Sequence, residues 1–131
     1  MATVIVNGGQ AIPPNRMLGG GTEPLNVGWG TGAGTAVVGD TTLFTETALD
    51  LTTTSGSRTA GTSSRVTTTL TNDTYQVTAT KTASGAGTVT NAGLWDNVTI
   101  GSGTLYLKGD FTGIVLASGD SIAFTIKVKF A

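Results

Sequence analysis

The chain has 131 residues, enough for one domain that folds around its own core without metals or disulfides. Only 11% of them are charged, against about 25% in ordinary soluble domains, and the formal net charge is −1, so little electrostatic field opposes association between copies. There is no cysteine and no histidine, which excludes disulfides, thiolate chemistry, Ser-His-Asp and Cys-His catalysis, and the commonest ligand of transition metals.

The opening Met1-Ala2-Thr3-Val4-Ile5-Val6 has no basic leader before a long apolar run, and no segment approaches the roughly 20 apolar residues of a membrane span. The expectation is a chain used without export or membrane insertion. Residues 1–27 differ from the rest: Val4, Ile5 and Val6, then Ile12-Pro13-Pro14, Met17-Leu18, the glycines Gly19-Gly20-Gly21, and Pro24. All three prolines lie here. Proline and glycine at this density argue against helix and central strand, so an extended arm is predicted over 1–27. Its residues Val4, Ile5, Val6, Ile12, Pro13, Pro14, Met17 and Leu18 are candidates for docking on a neighbour, and its removal is expected to leave the remaining domain folded.

Residues 28–131 read as an all-β domain. Thr42 to Leu51 has too many threonines for a long helix and is predicted as a single turn or an irregular connection. Turn signals follow at Val38-Gly39-Asp40, Thr71-Asn72-Asp73, Ala83-Ser84-Gly85, Trp95-Asp96-Asn97, Lys108-Gly109-Asp110 and Ser118-Gly119-Asp120, separating runs rich in Thr and Val. Within those runs Val66 and Leu70, then Tyr75, Val77 and Ala79, then Leu105 and Leu107, then Ile114 and Leu116 fall in phase and are predicted core, with Leu94. The clearest strand is the last. Strand side chains alternate with a period of two, so Ile122, Phe124, Ile126, Val128 and Phe130 share one face and Ser121, Ala123, Thr125, Lys127 and Lys129 the other. Even strand spacing predicts an antiparallel β-sandwich or a more open β-tulip.

Without His or Cys, enzyme chemistry would call on paired carboxylates. Five of the six aspartates flank Gly or Asn in predicted turns, where a short acceptor satisfies local backbone N–H groups. The turn role is the reading adopted, and no catalytic residue, cofactor or metal ligand is assigned. Gly28-Trp29-Gly30-Thr31-Gly32-Ala33 matches a permissive dinucleotide fingerprint in letters only, because strand-like text rather than a helix start follows it. Lys127 and Lys129 alone share a face, too few for a nucleic-acid stripe and in keeping with edge protection. Trp29 and Trp95 are read as core or interface filler before sugar platforms.

The phrases Trp29-Gly30-Thr31-Gly32, Val38-Gly39-Asp40-Thr41, Arg65-Val66-Thr67-Thr68, Thr71 to Val77, Asn91-Ala92-Gly93-Leu94-Trp95-Asp96 and Ser118 to Ile122 resemble small structural proteins of tailed bacteriophages, above all the capsid decoration, or cement, proteins. Relatives often carry an acidic residue where this chain has Asn91. The resemblance implies a β-sandwich or β-tulip protomer that self-associates as a homotrimer. It also implies a seat at local threefold axes on the outer capsid surface of the virion, with the major capsid protein as partner, and no nucleic acid or membrane. Two other readings remain: a phage tail or fibre protein, and a carbohydrate-binding module in which Trp29, Tyr75, Trp95 or Tyr106 lines a groove beside carboxylates.

Overall fold

The computed structural model describes residues 1–130. It is an all-β protein with antiparallel sheets. Strands β1 (Thr3–Ile5), β2 (Asn26–Gly30), β3 (Glu46–Thr47), β4 (Thr59–Ala60), β7 (Gly87–Trp95) and β8 (Leu105–Leu116) form one sheet in the order β1-β8-β7-β2-β3, with β4 also on β2. Strands β5 (Thr62–Val66), β6 (Thr74–Thr82) and β9 (Ser121–Lys129) form the second, in the order β5-β6-β9. The predicted turn at Ala83-Ser84-Gly85 carries the chain from β6 into β7, and Ser118-Gly119-Asp120 carries it from β8 into β9, so both turns pass between sheets.

The sheets share their apolar interior. Val27, Leu94, Tyr106 and Leu107 of the larger sheet meet Val77 and Val128 of the smaller one, with Ile12 completing the cluster. A neighbouring cluster gathers Trp29, Leu51, Ala83, Val89, Ala92 and Leu116. A third, of Val6, Leu43, Trp95 and Leu105, lies beside them. In β9 the alternation holds: Ser121, Ala123, Thr125, Lys127 and Lys129 are exposed, while Ile122, Phe124 and Ile126 are half-buried and Val128 buried. Leu70, Ile114 and Phe130, predicted core by phase, are instead exposed. Leu70 lies in the loop between β5 and β6, Ile114 in the outer half of β8, and Phe130 just beyond β9.

Two predictions are corrected. The first 27 residues are not an extended arm. Thr3–Ile5 pairs with Gly109, Lys108 and Leu107 of β8, a 3-10 turn covers Asn7–Ala11, helix α1 runs over Ile12–Met17, and β2 begins at Asn26. Pro13 and Pro14 fall in the first turn of α1, where a missing N–H breaks no intrahelical bond and the fixed φ already suits the helix. Val6 and Ile12 are core residues, and Gly9 lies so close to the main chain of Leu105 and Tyr106 that no side chain fits there. This segment is part of the fold, and its removal would open the core. The second correction concerns Lys108-Gly109-Asp110, which lies inside β8 and not in a turn. Gly109 is paired on both sides, with Thr3 and with Ala92.

Candidate functional site

The charged side chains are best taken first, because their partners decide what they are free to do. All six aspartates accept backbone N–H groups. Asp40 takes Val37, Asp50 takes Thr52 and Thr53, and Asp73 takes Thr68, Thr69 and Leu70. Asp96 takes Thr104, Asp110 takes Ala36 and Ala2, and Asp120 takes Ala117. Such bonds favour the ionised carboxylate. The Thr53 hydroxyl and N–H hold Asp50 down to about 2, and the Leu70 N–H holds Asp73 far below the usual carboxylate range. Asp110 explains the misread turn, since its carboxylate serves Ala36, 74 residues away, rather than its own loop.

Three cations are buried and committed inward. Arg58 forms a fork on Glu46, at 2.7 Å from Nε and 2.9 Å from Nη2. Its Nη1 donates to the carbonyls of Asn97, Thr99 and Ser102, and the guanidinium stacks 3.6 Å from the centre of the Trp95 ring. Lys108 donates to Asp40 at 3.0 Å and to the Thr42 carbonyl at 2.8 Å, over the face of Phe44. Lys81 donates to the Val27 carbonyl and the Thr59 hydroxyl, and burial pushes its ammonium down to about 8 against the attraction of Glu46. Together these contacts tie the long connections at 36–59 and 96–104 to the sheets.

Asn91 is fully buried. Its Oδ1 accepts the Phe44 N–H at 3.0 Å and its Nδ2 donates to the Phe44 carbonyl at 3.0 Å. An amide satisfies both groups of that peptide, whereas a carboxylate could only accept. Asn91 therefore forms a complete clasp on the Phe44 backbone.

The candidate binding surface lies beside α1. A cleft of about 360 Å³ opens between α1, the Glu23-Pro24 segment and the ends of the strands. Ile12, Pro13 and Pro24 supply one wall and Tyr75, Tyr106 and Phe130 the other, with Arg16 and Glu23 at the rim. The Tyr75 hydroxyl donates to the Pro24 carbonyl at 3.0 Å, and Arg16 donates to the Gly21 carbonyl at 2.9 Å, which fixes the glycine turn after α1. Burial, with Glu23 nearby, raises the Tyr75 hydroxyl well above its ordinary value. Met17 and Leu18 at the end of α1, and Phe130 in the cleft wall, are 87%, 89% and 65% exposed.

The predicted docking residues thus divide. Val6 and Ile12 are core and Ile5 packs against it, Val4 is half-buried beside Val6, and Pro13, Pro14, Met17 and Leu18 remain at the surface of α1 and its end. Trp29 and Trp95, candidates for an interface, are buried in the core and present no surface. Tyr75, Tyr106 and Phe130 carry the cleft; the two tyrosines had a sequence signal as groove candidates, whereas Phe130 had been placed in the core by its phase. Among the described residues no three of His, Cys, Asp or Glu gather as metal ligands would, and no helix is long and apolar enough to cross a membrane. No protein-family model, curated protein or solved structure matches the chain.

Proposed function

We propose that this chain is a structural virion protein of a tailed bacteriophage, a capsid decoration protein whose two sheets form a β-sandwich and whose copies seat on the outer face of the major capsid protein as an oligomer. The observation that carries the proposal is the exposure of the apolar side chains Met17 and Leu18 at the end of α1 and Phe130 at the cleft, on a domain whose aspartates and buried cations are spent within its own fold. A domain built this way offers contact area rather than reacting groups. Fully burying each such side chain contributes about 1.5–3 kcal/mol, so one copy gives a modest attachment that repetition over a shell makes effective. Contacts made only to the assembled shell stabilise that shell by mass action. No bond is made or broken. The arm of the original expectation is replaced in this role by a folded face, which needs no ordering on attachment.

The test is co-sedimentation with capsids lacking the protein. A triple variant, Met17→Ser, Leu18→Ser and Phe130→Ser, should fold normally and lose attachment. Undiminished attachment would remove these side chains from the account.

A second reading has an observation of its own. Tyr75 and Tyr106 do line a cleft beside Glu23, as a carbohydrate-binding module would require, and Phe130 adds an exposed ring face. Trp29 and Trp95 contribute nothing to it. A glycan-array screen decides: binding that Phe130→Ala abolishes favours this reading over decoration.

A further inference from the structure

We propose that β9 is a self-pairing edge: two copies join their β9 strands antiparallel about a two-fold axis at Thr125, merging their smaller sheets into one. Among the described residues β9 has β6 as its only hydrogen-bonded neighbour within its sheet, and the other edge is unpaired. Its nine residues pair with β6 in unbroken register, and they include no proline or glycine, so neither a bulge nor a missing N–H blunts the edge. Open edges of this kind are templates for another strand.

The inner side of the same edge is incompletely covered. Ile122, Phe124 and Ile126 point toward the core yet stay half-buried. Phe124 and Ile126 line, with Phe111, Leu107 and Ala92, an open cleft of about 220 Å³. A strand added beside β9 sets its own inward side chains along that opening.

The sequence of β9 says which strand fits. In an antiparallel pair, residues directly opposite each other share a face. An axis at Thr125 places Ser121 opposite Lys129, Ala123 opposite Lys127, Ile122 opposite Val128 and Phe124 opposite Ile126, and it pairs all nine residues. Every apolar side chain then meets an apolar one and each lysine meets a small neutral residue. Moving the axis to Lys127 sets that lysine against its own copy, and moving it to Val128 sets Lys127 against Lys129, both destabilising. Moving it to Ile126 keeps the lysines apart but pairs only seven residues, and moving it toward Ser121 shortens the pairing likewise, so Thr125 gives the longest match. The two lysines that read as edge protection therefore exclude the registers beyond Ile126, pairing length favours Thr125, and the occupant that satisfies both is a second copy of this chain. The contact is isologous and closes at two copies, so it is distinct from any threefold contact on a capsid and does not rest on the decoration reading.

The test uses exposed positions that leave the fold intact, checked by circular dichroism and melting temperature. Ala123→Glu faces Lys127 of the second copy twice per dimer and should tighten dimerisation about tenfold in sedimentation analysis, whereas Ala123→Lys should weaken it by a similar factor. The chain has no cysteine, so Thr125→Cys should cross-link two copies at the axis under mild oxidation, and Thr112→Cys on β8 should not. A chain that stays single, or an assembly indifferent to both charges at 123, would overturn the proposal.

Discussion

Arg58 offers the sharpest test of how the long connections are held. Its side chain is fully buried and makes five hydrogen bonds, two to Glu46 and three to carbonyls of the 96–104 connection, while stacking on Trp95. Arg58→Leu keeps the apolar contact with Trp95 but leaves the Glu46 carboxylate, 9% exposed, without its cation. Breaking one half of a buried pair costs about 3–5 kcal/mol, mostly through the charge left behind. Against the about 5–15 kcal/mol of a whole domain, the variant should be folded but marginal. Urea unfolding should show a lower midpoint at an unchanged slope. Adding Glu46→Leu to Arg58→Leu should recover part of the loss, because the stranded carboxylate is gone while the orphaned carbonyls, in an exposed connection, can turn to water. A loss below about 1 kcal/mol in the single variant would refute the reasoning, since it would mean that Glu46 is solvated without Arg58. A double variant no more stable than the single would refute it equally.

Asn91→Asp should destabilise by about 2–4 kcal/mol near neutral pH, since it removes the donor to the Phe44 carbonyl and buries a charge; thermal melting measures it, and a smaller loss at acid pH would mark the protonated acid regaining a donor. Stability should rise with pH above about 8, because folded Lys81 sheds its proton near 8 while the unfolded lysine holds its own to about 10.5. The full gain is up to about 3 kcal/mol. Above about 10 the trend should reverse, as Tyr75 and Tyr106, both raised by burial, ionise first in the unfolded chain. Urea midpoints across this range check both limbs, and Lys81→Met should abolish the rise alone. Deleting residues 1–24 should leave a chain that fails to unfold cooperatively, since β1, Val6 and Ile12 go with it; a sharp, unshifted melt would return the segment to the status of an arm.

Much of this was legible where local physics decides. In β9 the period of two gives the two faces directly, and four of the five aspartates beside Gly or Asn mark backbone acceptors because that bond is satisfied within a few residues or within the adjoining loop. What was not legible depends on distant partners. Asp110 carries the same local signature, yet its acceptor role is filled by Ala36 from another part of the chain, so the sequence looks like a turn where a strand runs. Pro13 and Pro14 break helices in general but not in a first turn, and nothing nearby announces one. Lys81 did leave a trace, for it stands in phase with Tyr75, Val77 and Ala79; a charge on a core phase is a buried charge or an error of phase. Arg58 left none, because its burial comes from carbonyls of a loop 40 residues further on. The cleft at α1 was half visible, in Tyr75 and Tyr106, and Phe130 joined it because β9 ends at Lys129, one residue before it.

Cryo-electron microscopy of intact particles from the source of this chain tests the proposed capsid role most directly. The account predicts density for the domain at regular positions on the outer face of the head, with Met17, Leu18 and Phe130 turned toward the major capsid protein. Density confined to the tail, or particles that lack the chain altogether, would contradict it.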